Sequence, residues 1–130
     1  MSNLATVAIR PFVPGGKDYA LSKAFYQALG FTVDFDVGEA AGLSCDSGGF
    51  LLQNYWHEGW AANFMMQLLV EDLDAWWAHI EALDLPGRFG VQPPRPPALQ
   101  PWGLIVAYVF GPSGELWHIV QSDEETGTRE

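Results

Sequence analysis

Cysteine is almost missing from this chain. Cys45 stands alone, so no disulfide can close within it, and a reducing compartment fits. Basic residues are scarce too, with 6 Lys and Arg against 16 Asp and Glu and a formal charge of −10. A surface of that sign repels phosphate, which argues against nucleic acid or an anionic membrane as partner. It attracts cationic ligands, and it also keeps an aromatic-rich chain dissolved; both roles fit. No apolar run approaches the ~20 residues of a bilayer span, and the start, MSNLATVAIRPF, has neither the charged head nor the apolar stretch of a secretion signal. A soluble, cytoplasmic protein is expected. Familiar catalytic templates are missing as well. The paired glycines sit in hairpin turns rather than phosphate loops, no Ser stands on a strand-to-helix elbow, and Cys45 has no basic neighbour to activate its thiol.

Apolar material is plentiful. Hydrophobic residues make up 48% of 130, including 8 Phe, 6 Trp and 4 Tyr. A domain of this size leaves roughly a third of its unfolded-chain surface exposed. Rings left over must line a cavity or a partner interface, or sit partly in water.

Ala5–Val13 reads as a strand that stops at Pro14-Gly15-Gly16. Asp18 or Ser22 can cap a helix carrying Tyr19, Leu21, Phe25, Tyr26 and Leu29 at helical spacing, with Gly30 suited to its end. Phe31–Asp36 alternates as a half-buried strand. Strands at Gly42–Cys45 and Phe50–Tyr55 flank the turn Asp46-Ser47-Gly48-Gly49. A loop, Trp56–Ala62, leads to a strand at Asn63–Val70. A second helix follows Glu71-Asp72, with Leu73, Trp76, Trp77, Ile80 and Leu83 in register.

The plan then repeats. A shift of 54 residues lays Asp18 on Asp72, Ala24 on Ala78, Ala28 on Ala82 and Leu29 on Leu83. The hairpin returns as Gly111-Pro112-Ser113-Gly114 before Glu115–Val120, so each half reads β-α-β-β-β. Proline-rich Gln92–Gln100 cannot fill a ladder and reads as a loop. One domain is expected over residues 1–122, with modules at about 1–62 and 63–122 and an acidic tail at 123–130.

Three pieces carry a family likeness: Lys17-Asp18-Tyr19…Ser22-Lys23-Ala24-Phe25-Tyr26…Leu29-Gly30-Phe31, Val70-Glu71-Asp72-Leu73-Asp74, and Gly111-Pro112-Ser113-Gly114-Glu115-Leu116-Trp117. With them the sequence resembles the glyoxalase, bleomycin-resistance and extradiol-dioxygenase superfamily, the vicinal oxygen chelate proteins. Asp34-Phe35 and Gln100-Pro101-Trp102-Gly103 are most similar to the bleomycin-resistance branch. The resemblance implies an α+β fold of two βαβββ modules forming an incomplete barrel or cup. It also implies a homodimer, domain-swapped or module-sharing, that holds an antibiotic in clefts between subunits and performs no chemistry.

Enzymes of the superfamily use a divalent metal held by the first and last strands of each half. Here Ala5–Val13 and Asn63–Val70 contain no His, Asp or Glu; Met65, Met66 and Gln67 fill the middle of the latter. The last strands supply only Gln53 and His118, at matching places. A neutral amide and a single imidazole retain a divalent cation poorly, so no cofactor is expected. The alternative is a lyase, isomerase or dioxygenase with an unorthodox site on these two residues.

The candidate ligand residues are Trp102, Phe35, Asp34, His118, Gln53, Tyr55, Trp60 and Phe64. Trp102 fits a stacking anchor or a plug at the core edge. His118 fits a satisfied strand imidazole or a hydrogen-bonding group on a cleft floor. Asp34 and Phe35 match cleft residues of the branch, yet strand neighbours point to opposite faces unless the strand bends or one of them serves the other subunit. Tyr55, Trp60 and Phe64 could form an opposite wall. Trp76, Trp77 and Trp117 fit core or dimer packing, His57 fits a mobile flanking loop or a pair with Glu58, and His79 reads as a surface residue. Arg10 fits a surface salt bridge or an anchor for an anion. The expected function is sequestration of an aromatic ligand able to carry positive charge, a peptide-type antibiotic or natural product, for self-resistance or as an accessory to biosynthesis.

Overall fold

A computed structural model describes residues 3–122; the expected tail at 123–130 lies outside them. Two four-stranded mixed sheets are present and neither closes into a barrel. The first half runs β1 (Phe12–Pro14), α1 (Tyr19–Leu29), β2 (Thr32–Asp36), β3 (Ala40–Cys45) and β4 (Gly48–Gln53). A short helix, α2 (Glu58–Ala62), leads into β5 (Met65–Val70), α3 (Leu73–Leu83), α4 (Leu85–Phe89), β6 (Arg95–Leu99), β7 (Ile105–Phe110) and β8 (Leu116–Gln121). The sheet orders β1-β4-β3-β2 and β5-β8-β7-β6 are the same plan twice, each with one parallel pair.

The repeat is visible atom by atom at the helix starts. Asp18 accepts a hydrogen bond from Leu21 N at 3.1 Å, and Asp72 accepts one from Ala75 N at 3.0 Å. Each satisfies an amide that the helix itself leaves unpaired. α1 closes at Gly30, whose φ of 125° suits a residue without Cβ. The halves diverge after α3. Asp84, at φ 51°, turns the chain and caps α4 by accepting from Gly87 N at 3.2 Å. That helix has no counterpart in the first half and buries Leu85 and Phe89.

Four expectations need correction. The first strand begins at Phe12 rather than Ala5; residues 3–10 lie exposed, Val7 at 99% and Ile9 at 92%. Their alternation is strand-like, but the sheet ends at β1, so they find no ladder in the chain. Residues 58–62 form α2, capped by His57, whose Nδ1 accepts from Gly59 N at 3.1 Å; His57 therefore serves the helix rather than Glu58. β4 starts at Gly48, so Asp46-Ser47 makes a two-residue turn and Tyr55 lies beyond the strand. The proline segment is partly a strand, β6, at the edge of its sheet, where missing N–H groups cost little. Its register slips between Arg95 and Ala98, around Pro96 and Pro97.

One core serves both halves. Tyr26 and Phe31 near α1, Phe50 of β4 and Trp117 of β8 meet with ring centroids 5.1–5.9 Å apart. Trp117 is thus a core residue, and Trp76 and Trp77 pack partly buried against the same cluster. A buried polar chain runs through it. Trp117 Nε1 donates to the Tyr26 hydroxyl at 2.8 Å, that hydroxyl donates to the Glu115 carboxylate, and Ser113 N donates to Glu115 Oε1 at 3.0 Å. Burial pushes the Glu115 carboxyl above its ordinary value of 4.5 and the Tyr26 phenol well above 10.0. Gly111 is obligatory beside this carboxylate, since a Cβ there would collide with it. Among the described residues no helix is long and apolar enough to cross a membrane.

Candidate functional site

Because both sheets turn their inner faces to this one core, their outer faces look away from it. On the first sheet, Val13, Ala41, Leu43, Phe50 and Leu52 are buried inward. Register then sets Phe12, Leu51, Gly42 and Phe35 in one row across the outward face. The row is apolar, with Phe12 51% and Phe35 43% exposed. Gln53 stands beyond it at the end of β4.

Phe35 reaches that face through an irregularity. Plain alternation would put Val33 and Phe35 on the same side. Instead Val33 pairs with Leu43 and Phe35 with the next residue, Gly42, leaving Asp34 as an extra residue. This bulge sends Val33 to the core and Phe35 outward. The phenyl ring lies on Gly42, where any side chain would strike it. Asp36, on the helix side, accepts from Lys23 Nζ at 2.6 Å and from the Tyr19 hydroxyl at 2.9 Å; these bonds hold its carboxyl down at about 2.

The outward face of the second sheet has different chemistry. Gln67, His118, Tyr108 and Arg95 occupy paired positions on β5, β8, β7 and β6, a polar row crossing all four strands. Met65, Leu116 and Phe110 flank it on one side, and Leu69, Val120 and Val106 on the other. A cavity of about 630 Å³ opens here, lined among others by Met65, Arg95, Tyr108, Phe110 and His118. Tyr108 meets the His118 ring edge-on at 4.9 Å, and the Arg95 guanidinium sits 5.8 Å from the Phe110 ring. His118 Nε2 is buried without a hydrogen-bond partner, and desolvation lowers the ring below its ordinary value of 6.5.

Trp102 lies in the turn between β6 and β7 and is 57% exposed. Tyr55, Trp60 and Phe64 do meet one another, at 5.9 and 6.2 Å. They gather around α2, with Phe64 leaning on the shared core. Arg10 is exposed ahead of β1. His79 is exposed, as expected, and bonds to Leu29 O at 3.0 Å. A larger cleft of about 850 Å³ lies between the halves and holds none of the candidate ligand residues.

The donors do not suit a divalent metal within one chain. Gln53 and His118 stand on separate outward faces, and among the described residues no three His, Cys, Asp or Glu cluster as ligands would.

Residues 11–119 match the family model described as the glyoxalase/bleomycin resistance protein/dioxygenase superfamily. The chain belongs to this superfamily. A bleomycin-binding protein solved with bleomycin is 23% identical, at TM-score 0.76 over 90% of this chain and 99% of that one. The bleomycin resistance determinant encoded on transposon Tn5 is also 23% identical, at TM-score 0.73 over 91% and 99%. A lactoylglutathione lyase from Agrobacterium tumefaciens is 16% identical, at TM-score 0.66 over 92% and 96%. No curated protein sequence matches. At such identities the likeness establishes the superfamily fold alone, shared by binders and enzymes.

Sequence reasoning missed Tyr108, Arg95, Met65 and Phe110. Counting outward from the second hairpin turn would have found Tyr108 opposite His118, because turn geometry fixes register. Arg95 was concealed by its prolines.

Proposed function

We propose that this superfamily member is a metal-free binding protein that sequesters a planar aromatic ligand of the antibiotic or natural-product kind in clefts of a homodimer. The observation that carries the reading is the pair of outward faces: each has exposed apolar groups, and among the described residues neither gathers three His, Cys, Asp or Glu as metal ligands. A face that exposes Phe12 and Phe35 needs a cover. A second protomer, setting its donor-bearing face opposite, would make a cup with an aromatic wall and a hydrogen-bonding wall. The exposed segment bearing Val7 and Ile9 gives the dimer a further contact, through strand pairing with the partner. Bleomycin-binding relatives with this fold support the ligand class. Phe35 and Trp102 are the stacking residues in this reading, His118 and Gln53 the hydrogen-bonding ones, and Asp34 a charge at the mouth. Tyr55, Trp60 and Phe64 would close the cup at its end. The domain is taken as residues 1–122, and a cytoplasmic location accords with the lone cysteine.

Titration with bleomycin and with planar peptide antibiotics, followed by tryptophan emission, tests the reading. Saturable quenching unaffected by EDTA is expected, with a dimer in sedimentation. A stoichiometric divalent metal in the purified protein, with turnover that a chelator abolishes, would overturn it.

A further inference from the structure

The donor row on the second sheet bears on the charge of the ligand, for which an overall charge of −10 favours cations. Locally the sign reverses. Among the described residues, those lining the cavity include Arg95 and His118 and no Asp or Glu. The one salt bridge among the described residues joins Lys23 to Asp36, so none of their carboxylates neutralises Arg95 in the cavity. Among the described residues neither its guanidinium nor the Tyr108 hydroxyl has a hydrogen bond. His118 Nε2 is likewise unpartnered, and buried. Three groups able to donate thus stand side by side on neighbouring strands, Arg95 paired with Tyr108 and Tyr108 with His118. Apolar residues border them on both sides, so a group bound here is partly withdrawn from water, where charge-assisted bonds gain strength. Tyr108 and a neutral His118 can donate or accept, so the charge preference rests on Arg95, which repels an ammonium ion. A carboxylate would meet complementary partners.

We infer that the outward face of the second sheet is an acceptor-selective subsite that takes the carboxylate, or an equivalent anionic group, of an aromatic ligand, with Arg95 setting the charge preference. The inference rests on the proposed binding function and names the ligand chemistry at that site. Arg95 carries the long-range attraction and a forked donor pair suited to two oxygens. Tyr108 and His118 fix the orientation, and Met65 and Phe110 receive the adjoining ring.

Three probes of one shape separate the possibilities: 2-naphthoate, 2-naphthamide and 2-naphthylmethylammonium, each titrated at pH 7 and followed by amide chemical shifts. The naphthoate should bind about tenfold more tightly than the ammonium probe, the size of one charge-assisted contact. In Arg95→Gln that margin should vanish through loss of naphthoate affinity, with naphthamide binding changed less than about twofold and the melting temperature held. Arg95→Lys should restore part of the margin. Equal affinities, a preference for the ammonium probe, or an equal loss of all three in Arg95→Gln would overturn the inference and leave the binding function standing. Failure of all three probes to bind would remove the binding function, and this inference with it.

Discussion

The two halves follow one plan, but their hairpin turns meet the opposite half in different ways. The second turn is locked in. Ser113 accepts the Trp56 indole N–H at 2.8 Å through its carbonyl and the Lys17 amide at 3.4 Å through its hydroxyl, and Glu115 takes the Tyr26 hydroxyl in the core. The first turn stands back, and Asp46 and Ser47 border the cleft of about 850 Å³ that also reaches Asp72 and Trp76. The outward faces differ as well, apolar on the first sheet and donor-bearing on the second. A duplicated plan has thus kept its backbone while its side chains specialised: one junction secures the assembly, and the two faces supply unlike walls.

Breaking the locked junction should have the largest effect. Tyr26→Phe leaves the Trp117 indole N–H without its acceptor and the Glu115 carboxylate short of a donor, both buried. It should cost about 3 kcal/mol in urea unfolding. Ile80 occupies the matching helix position in the second half and is equally buried; Ile80→Val should cost only ~1 kcal/mol. Equal losses would deny the junctions their difference.

The faces come next. Trp102→Ala and Phe35→Ala should each weaken ligand binding by ~1–3 kcal/mol if these rings stack on it, with little change in melting, since both side chains are well exposed. Unchanged affinity would remove that residue from the site.

Smaller effects should appear in the pH dependence of stability. Glu115 is raised in the folded state, so its contribution is present below 4.5 and lost as pH climbs through the folded value. His118 is lowered, so its contribution is present above 6.5 and lost as pH falls through its folded value. Melting curves of Glu115→Gln and His118→Asn against the parent should therefore diverge in opposite directions across these windows. Asp36 makes the slightest test. Its stabilisation is present above 3.8 and fades as pH falls through about 2. As an exposed surface pair with Lys23, it should shift melting barely at all when changed to Asn.

Much of this architecture was legible in the residues. Helical spacing, the return of Asp18 at Asp72 and the two turns located both modules, since these signals are local. The first strand was misplaced because alternation reports a tendency to pair and says nothing of where the partner lies. Phe35 shows the same limit from the other side: periodicity assigns it to the core with Val33, and only the slip at Asp34, invisible in a list of residue types, turns it outward. The row from Gln67 to Arg95 depends on register across four strands, which distant pairing sets. Glu115 was readable as part of a motif, but its burial among Tyr26, Ser113 and Trp117 is a property of the assembled halves.

The irregular strands β2 and β6 share a further consequence. Each is the outermost strand at its end of a sheet, and each is interrupted, β2 by the extra Asp34 and β6 by Pro96-Pro97 with its slipped register. A foreign strand laid along either border would find a broken hydrogen-bonding template. A chain this rich in exposed rings is thereby steered away from fibril growth along those borders, and its self-association is channelled into contacts made face to face.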